Sequence, residues 1–173
     1  PPKVTAVPGD GKVTLYWDRS AESTQDKYMG NITNGADLYD FEGYKIYRAT
    51  DFEFNDAYNI TDGDGNPTFL EPYVQNGVRA QWDLVDGKSG WHPVDLNGIK
   101  FYLGDDTGLT HSYVDHNVVN GQRYYYAVVS YDYGGDLSNN IIPSDSPMKL
   151  RVNPLTGAVS LGPNVVEVVP SPP

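Results

Sequence analysis

The sequence predicts an all-β chain folded as a single β-sandwich, and three segments carry this prediction. Residues 13–17, 41–47 and 121–129 each alternate large apolar side chains with small or polar ones. A period of two is the pattern of a strand with one face in a core and the other toward solvent. The 18 glycines and 13 prolines add frequent turn signals between such segments. Many short strands joined by turns are typical of sandwiches.

The elements follow in order from these signals. Alternation and turn residues predict strands, named A, B, C, E, F and G, at residues 3–7, 13–17, 43–49, 111–115, 123–131 and 147–152. Pro8-Gly9-Asp10-Gly11 is a strong turn signal between the first two strands. The pattern places six side chains in one shared core: Trp17, Tyr44, Ile46, Tyr124, Tyr126 and Val128.

This arrangement resembles a fibronectin type III domain, an immunoglobulin-like β-sandwich. The resemblance identifies Trp17 as the core tryptophan of strand B. It also places Tyr124 at the family's tyrosine corner, where the hydroxyl bonds the backbone of the turn between strands E and F. The resemblance covers both ends of the domain. Its middle departs from the family, because about 60 residues lie between strands C and E where a fibronectin module needs about 20.

A second resemblance concerns the end of the chain. Tyr-Tyr-Tyr-Ala-Val at 124–128, Tyr131-Asp132-Tyr133-Gly134 and the closing Val-Val-Glu-Val-Val-Pro are similar to modules of large secreted or surface proteins of Bacteroidota-like bacteria. This implies an extracellular or cell-surface location and partners among neighbouring modules or subunits. The predicted organisation is a sandwich over residues 1–152, with an inserted β-rich subregion at about 50–110, and a linker with a tail strand over 153–173.

Composition restricts the function classes. The formal net charge of −11 repels phosphate backbones, so we expect no nucleic-acid partner. No stretch approaches the roughly 18 apolar residues of a membrane-spanning helix, so we expect no membrane insertion. The chain has no cysteine and hence no disulfide. It starts with Pro1-Pro2 rather than Met, and we expect it to be a mature or excised piece of a longer protein.

One segment of the insertion resembles the start of a calcium loop. Asp62, Asp64 and Asn66 have the one-three-five spacing of an EF-type site, and their oxygen ligands favour calcium over zinc. The pattern then fails, since Pro67 stands at the sixth position and Tyr73 at the twelfth. Two alternatives remain at this point: a calcium site, or an Asp-Gly turn at a hairpin tip. Calcium is the only cofactor that the sequence suggests.

The insertion is also rich in aromatic residues. Trp82, Trp91, Tyr73 and Tyr102 could form a platform for sugar rings, which would make a polysaccharide a partner. The alternative is a small core that seats the insertion on the sandwich.

The tail contains Val165, Val166, Val168 and Val169, interrupted by Glu167. This run is too apolar to stay extended in water, so we expect it to pair with a sheet edge. The edge could belong to its own sandwich, to a following module or to a neighbouring subunit, and the Pro-rich exit favours a role between modules.

The motifs contain no sign of catalysis. The chain has no Gly-x-Ser-x-Gly elbow and no phosphate-binding Gly-x-Gly-x-x-Gly in a strand-to-helix context. We therefore expect a non-enzymatic structural or adhesive module of an extracellular multidomain protein or fibre. The alternatives are a carbohydrate-binding accessory module of a secreted hydrolase and a filament subunit that assembles through its tail strand.

Overall fold

The structure is a computed structural model, and the elements within the residues that it describes are β-strands and one turn of 3-10 helix. It describes residues 2–23, 41–54, 60–61, 67–69, 71–85, 90–96, 99–102, 104–132, 150–152, 154–156 and 159–172. The helical turn covers Ser20–Ser23. The strands are β1 Val4–Gly9, β2 Lys12–Trp17, β3 Phe41–Ala49, β4 Ile60–Thr61, β5 Pro67–Phe69, β6 Val74–Gln75, β7 Val78–Arg79, β8 Gln81–Asp83, β9 Trp91–Leu96, β10 Ile99–Tyr102, β11 Ser112–Asp115, β12 Tyr124–Asp132, β13 Leu150–Val152, β14 Val159–Leu161 and β15 Val165–Val168.

Two antiparallel sheets form the body of the protein. The smaller sheet has the order β1-β2-β11, and the larger has the order β15-β12-β3-β8. Four hairpins, β4–β5, β6–β7, β9–β10 and β13–β14, account for the other strands within the described residues. The prediction of an all-β, sandwich-like fold is confirmed. The insertion supplies β4 to β10, and one of these, β8, forms an edge of the larger sheet.

The core lies between the two sheets. All six side chains predicted to share it are buried: Trp17, Tyr44, Ile46, Tyr124, Tyr126 and Val128. They pack with Val13 and Leu15 of β2 in one cluster. The period-two alternation therefore placed the inward faces of β2, β3 and β12 in the right register, because neighbouring side chains of a strand point to opposite faces.

The outer face of the larger sheet is also covered. Tyr47 of β3, Tyr125 of β12 and Val165 of β15 belong to a second buried cluster. Phe54, which follows β3 in the insertion, is fully buried in this cluster, and Leu161 of β14 packs against it. Both faces of β3 and β12 are thus buried. The tyrosines of these two strands are therefore buried whichever face they lie on.

The turn between β11 and β12 has the geometry of a tyrosine corner. The backbone N–H of Val119 donates a hydrogen bond of 2.9 Å to the hydroxyl of Tyr124. Tyr124 itself is buried, and the partly buried Val118 packs on the core from the same turn. This contact fixes the start of β12 against the preceding turn, as predicted for this residue.

The edge beside β12 differs from the prediction. Residues 147–152 were predicted as strand G, and a strand is present there as β13 over Leu150–Val152, but it pairs with β14 and not with β12. β15 takes that edge, with Tyr124 opposite Val168 and Ala127 opposite Val165. The sequence favoured a role for the tail strand between modules. In the structure, the tail strand pairs within its own chain.

The four tail valines are consequently in different surroundings. Val165 and Val168 are buried, Val166 is partly buried, and Val169 beyond the strand is 37% exposed. Pairing within the chain is favoured because Val165 and Val168 become buried on opposite faces of a covered sheet. This burial removes apolar surface from water without the entropy cost of associating with a second molecule.

The two ends of the described chain lie at opposite poles. At one pole, Val4 at the start of β1 donates its N–H to the carbonyl of Pro163 over 2.8 Å. At the other pole, Ser171 donates its N–H to the carbonyl of Gly9 over 3.2 Å, and Gly121 donates to Pro170 over 2.8 Å. The tail thus runs in the same direction as β1, with Pro163 beside the start of that strand and Ser171 beside its end.

Candidate functional site

A cleft of about 410 Å³ opens between the β6–β7 hairpin and the loop that follows β10. Its volume lies within the roughly 300–1,000 Å³ range of small-ligand sites. The lining combines apolar, aromatic and polar side chains with glycine backbone: Val74, Gly77, Val78, Arg79, Gln81, Trp82, Tyr102, Gly104, Asp105 and Thr107. All of these residues belong to the insertion, and Gln81 and Trp82 lie on β8, so the cleft sits where the inserted subregion forms the edge of the larger sheet.

An aromatic pair borders this cleft. The rings of Trp91 and Tyr102 meet edge to face with centroids 5.0 Å apart. Trp91 is 59% exposed, an unusual state for so large an apolar side chain. Tyr102 lines the cleft, its hydroxyl donates to the carboxylate of Asp105, and the guanidinium of Arg79 lies 4.3 Å from its ring centroid. Trp91 thus contacts the cleft through the ring of Tyr102, which is itself held by Arg79 and Asp105.

Gln81 supplies a buried polar group to the same lining. It is 6% exposed, and its Nε2 donates to the carbonyl of Tyr102 over 2.8 Å and to the hydroxyl of Tyr131 over 3.1 Å. Its Oε1 accepts no hydrogen bond from the part of the chain that the structure describes. A buried acceptor without a donor lowers the stability of the fold, so this amide is only partly satisfied.

The loop wall of the cleft is held by Asp83. This fully buried carboxylate accepts hydrogen bonds from the backbone N–H groups of Asp105, Asp106 and Thr107, at 3.2, 2.9 and 3.0 Å. Gly104 has φ +117°, and a Cβ there would lie 2.4 Å from the Asp83 carboxyl carbon. The loop therefore requires glycine at that position, and the three hydrogen bonds hold the wall in place.

The structure separates the four aromatic residues predicted as one platform. Trp91 and Tyr102 come together beside the cleft, as described above. Trp82 lines the cleft, but its ring lies 5.7 Å from that of Trp17 and 5.3 Å from that of Tyr113, so it also anchors the insertion to the core. Tyr73 belongs to a different cluster. Sequence reasoning missed Asp83, Arg79 and Gln81. The Gly104-to-Gly108 turn residues were the signal that could have located the wall.

That other cluster is built around Asp115 at the end of β11. Its carboxylate is fully buried and accepts from the hydroxyls of Tyr126 and Tyr73 at 2.6 and 2.8 Å. Arg48 pairs with it at 3.0 Å and also donates to the carbonyl of Asn117 at 2.9 Å. The guanidinium lies 4.1 Å from the Tyr73 ring centroid. The cluster thus joins the two sheets and the insertion at one end of the molecule.

Electrostatics fix the protonation of this cluster. Burial raises the pKa of Tyr126 and of Tyr73, and their hydrogen bonds to Asp115 raise it further. Burial alone would lower the pKa of Arg48, but the nearby Asp115 carboxylate reverses this, and the pKa is raised. Both hydroxyls therefore remain donors and the guanidinium remains charged. The arrangement is a satisfied structural network and leaves no group free for chemistry.

A smaller titratable group lies at the opposite end of the core. The Oε2 of Glu22 accepts from the Tyr44 hydroxyl at 2.7 Å and lies 2.7 Å from Nε2 of His111. Burial alone would raise the pKa of Glu22, but the hydrogen bonds from His111 and Tyr44, with help from Arg19, lower it below its ordinary value of 4.5.

This lowered pKa predicts an acid-dependent loss of stability. A carboxyl whose folded pKa lies below its unfolded value stabilises the fold above the unfolded pKa, and this contribution is lost as pH falls through the folded pKa. We therefore expect Glu22→Gln to be less stable than the wild type at neutral pH, with a difference that shrinks as the pH falls below 4.5 and through the lowered folded pKa. Thermal melting across this range measures the difference.

The matched control is Glu71→Gln, which makes the same substitution at a partly exposed carboxyl outside this group. Its difference from the wild type should stay small at every pH. A Glu22→Gln difference that persists unchanged in acid would contradict the assignment.

The predicted calcium ligands Asp62, Asp64 and Asn66 lie outside the described residues. Within the residues that are described, no group of three or more His, Asp or Glu side chains is arranged to hold a metal ion. The calcium site therefore stays a prediction. The described part of the chain also has no helix long and apolar enough to cross a membrane.

No protein-family model, curated protein or solved structure matches the chain. The proposals that follow therefore depend on the residues and geometry described above.

Proposed function

We propose that this chain is a non-enzymatic structural module of the fibronectin type III kind, placed between other modules of an extracellular or cell-surface protein. The observation that carries the proposal is the position of the chain ends at opposite poles. A module whose chain enters at one pole and leaves at the other adds its full length to an array. A module with both chain ends on the same side would instead project sideways from the array.

The strand order supports the same proposal. The strands predicted as A, B and E lie side by side as β1, β2 and β11, and those predicted as C and F pair as β3 and β12. Trp17 lies in the core and Tyr124 bonds the turn before it, as the resemblance implies. The filament alternative loses support, because its assembly strand β15 already pairs with β12 in the same chain.

The hydrogen bonds near the ends suit a load-bearing role. A force that separates the two ends acts along β1 and along the tail, which run in the same direction. The tail and β1 would then have to slide past each other. The hydrogen bonds from Val4 to Pro163 and from Ser171 to Gly9 resist this movement at the same time and do not open one by one. Glu167 and Arg123 also pair at 3.0 Å across β15 and the start of β12. Both side chains are largely exposed, so this ion pair contributes little.

Force spectroscopy on a tandem protein of identical copies tests the proposal. We expect each copy to unfold in one discrete event when the protein is pulled from its two ends. Ser171→Pro removes the N–H that Gly9 accepts and should lower the unfolding force. Ser171→Ala keeps this N–H and is the matched control, so its unfolding force should equal that of the wild type.

Two results would contradict the proposal. Gradual extension without discrete events would mean that the module bears no load. Equal unfolding forces for Ser171→Pro and the wild type would mean that the contact between the tail and β1 does not resist the pull.

A further inference from the structure

We propose that the cleft beside Trp91 and Tyr102 binds a neutral polysaccharide chain. This inference is independent of the structural role above, because it concerns the inserted subregion and not the chain ends. It depends on three features: an exposed aromatic rim, a polar lining that is fixed in place, and the strongly negative charge of the chain.

The rim of the cleft carries apolar side chains that stay exposed among the described residues. Trp91 is 59% exposed, and Val78 and Val74 on the facing hairpin are 69% and 41% exposed. Large apolar side chains gathered at one cleft mark an interaction surface more often than single exposed ones do. A sugar ring carries its C–H bonds on one face and its hydroxyls around the edge. It can therefore cover an aromatic ring while its polar edge stays hydrogen-bonded.

The lining supplies polar groups for such an edge. Arg79 offers several N–H donors, Asp105 offers carboxylate acceptors, and Thr107 offers a hydroxyl that can do both. Sugar hydroxyls both donate and accept, so a mixed set of this kind matches them better than a purely cationic or purely apolar lining would.

These groups are held before any ligand arrives. Arg79 lies over the Tyr102 ring, and the Tyr102 hydroxyl bonds Asp105. The backbone of residues 105–107 is fixed by three hydrogen bonds to Asp83. A preformed lining loses little conformational entropy on binding, so weak individual contacts can add to a useful affinity.

Charge selects the class of polysaccharide. The chain has a net charge of −11, and Asp105 lies in the lining itself. Acidic polysaccharides and nucleic acids would be repelled at long range. One arginine in the lining cannot offset this field. A neutral polysaccharide pays no such cost, which is why we commit to that class.

Affinity electrophoresis tests the inference directly. The intact chain is run through native gels that contain soluble β-glucan, xylan or galactomannan, with alginate as the acidic comparison. We expect retarded migration with at least one of the three neutral polysaccharides and none with alginate. Titration of the retarding polysaccharide should also change the tryptophan fluorescence, because Trp91 is exposed at the rim.

Three variants locate the site. Trp91→Ala and Arg79→Ala should each weaken binding about tenfold or more, as expected for central contact residues. Tyr16→Ala is the matched control, since Tyr16 is an aromatic residue of the other sheet that is 50% exposed. It should bind like the wild type. Thermal melting of each variant confirms that the fold is retained.

The outcomes that overturn the inference are distinct. Binding to none of the neutral polysaccharides, stronger binding to alginate, or binding that Trp91→Ala leaves unchanged would each refute it. Dimerisation that is lost in Trp91→Ala would instead assign the rim to a second copy of this chain, and sedimentation velocity would detect it.

Discussion

Replacing Asp115 with Ala is expected to lower the free energy of unfolding by about 3–5 kcal/mol, the usual effect of removing one partner of a buried ion pair. The physical reason is the set of donors that would lose their acceptor. The Tyr126 and Tyr73 hydroxyls and the Arg48 guanidinium all converge on this fully buried carboxylate. In a chain of this length, such a loss corresponds to a melting temperature lower by about 10 °C.

Chemical denaturation of Asp115→Ala measures the effect, and Asp10→Ala is its control. Asp10 is exposed and accepts one hydrogen bond from Asn120, so its removal should cost about 1 kcal/mol or less. Combining Asp115→Ala with Arg48→Met should cost less than the sum of the two single changes, since the second change removes the charge that the first left unpaired. Strict additivity would show that the two groups do not interact.

Truncation of Trp17 to Ala is expected to cost about 3–5 kcal/mol as well, through the cavity that it leaves in the core. Trp17 is 5% exposed, and its ring lies 5.8 Å from Tyr44, 5.7 Å from Trp82 and 6.5 Å from His111. One side chain therefore connects β2, β3, the insertion and the segment before β11. Its loss should loosen the insertion together with the sandwich.

Two further variants separate packing from hydrogen bonding at this position. The Nε1 of Trp17 has no hydrogen-bond partner among the described residues, so Trp17→Phe gives up no hydrogen bond. We expect it to cost clearly less than Trp17→Ala. Tyr16→Ala changes the neighbouring exposed aromatic and should be nearly neutral. If Trp17→Phe were as destabilising as Trp17→Ala, the stability would not come from ring packing.

The pole-to-pole path of the chain and the cleft of the insertion suggest a division of roles within one module. In this proposal, the two main sheets and the tail transmit force. The insertion is attached to them through Trp82 and Tyr73, and it presents Trp91 on its own surface. Loss of polysaccharide binding in Trp91→Ala with an unchanged unfolding force would establish that the two roles are separate.

The sequence by itself determined the faces of the main strands. Trp17, Tyr44 and Tyr126 are buried as the alternation predicts, because the direction of a strand side chain is a local property of the backbone. The tyrosine corner was predicted from the resemblance to fibronectin type III domains, and it forms over a short separation, since Tyr124 and the turn that it bonds are only five residues apart. Both features depend on contacts that are short in sequence or on a period that needs no partner.

Only the tertiary structure decided which strand pairs with β12 and which aromatic residues stay exposed. Leu150–Val152 and Val165–Val168 are both short apolar strands, and the choice between them depends on which one can bury its side chains on a sheet formed far away in sequence. Trp82 and Trp91 differ for the same reason: one meets Trp17 across the core, and the other meets only Tyr102 among the described aromatic rings. The Asp115 cluster and the Asp83 wall likewise join residues from distant segments. Burial of this kind is a competition between long-range contacts, and no local pattern encodes its outcome.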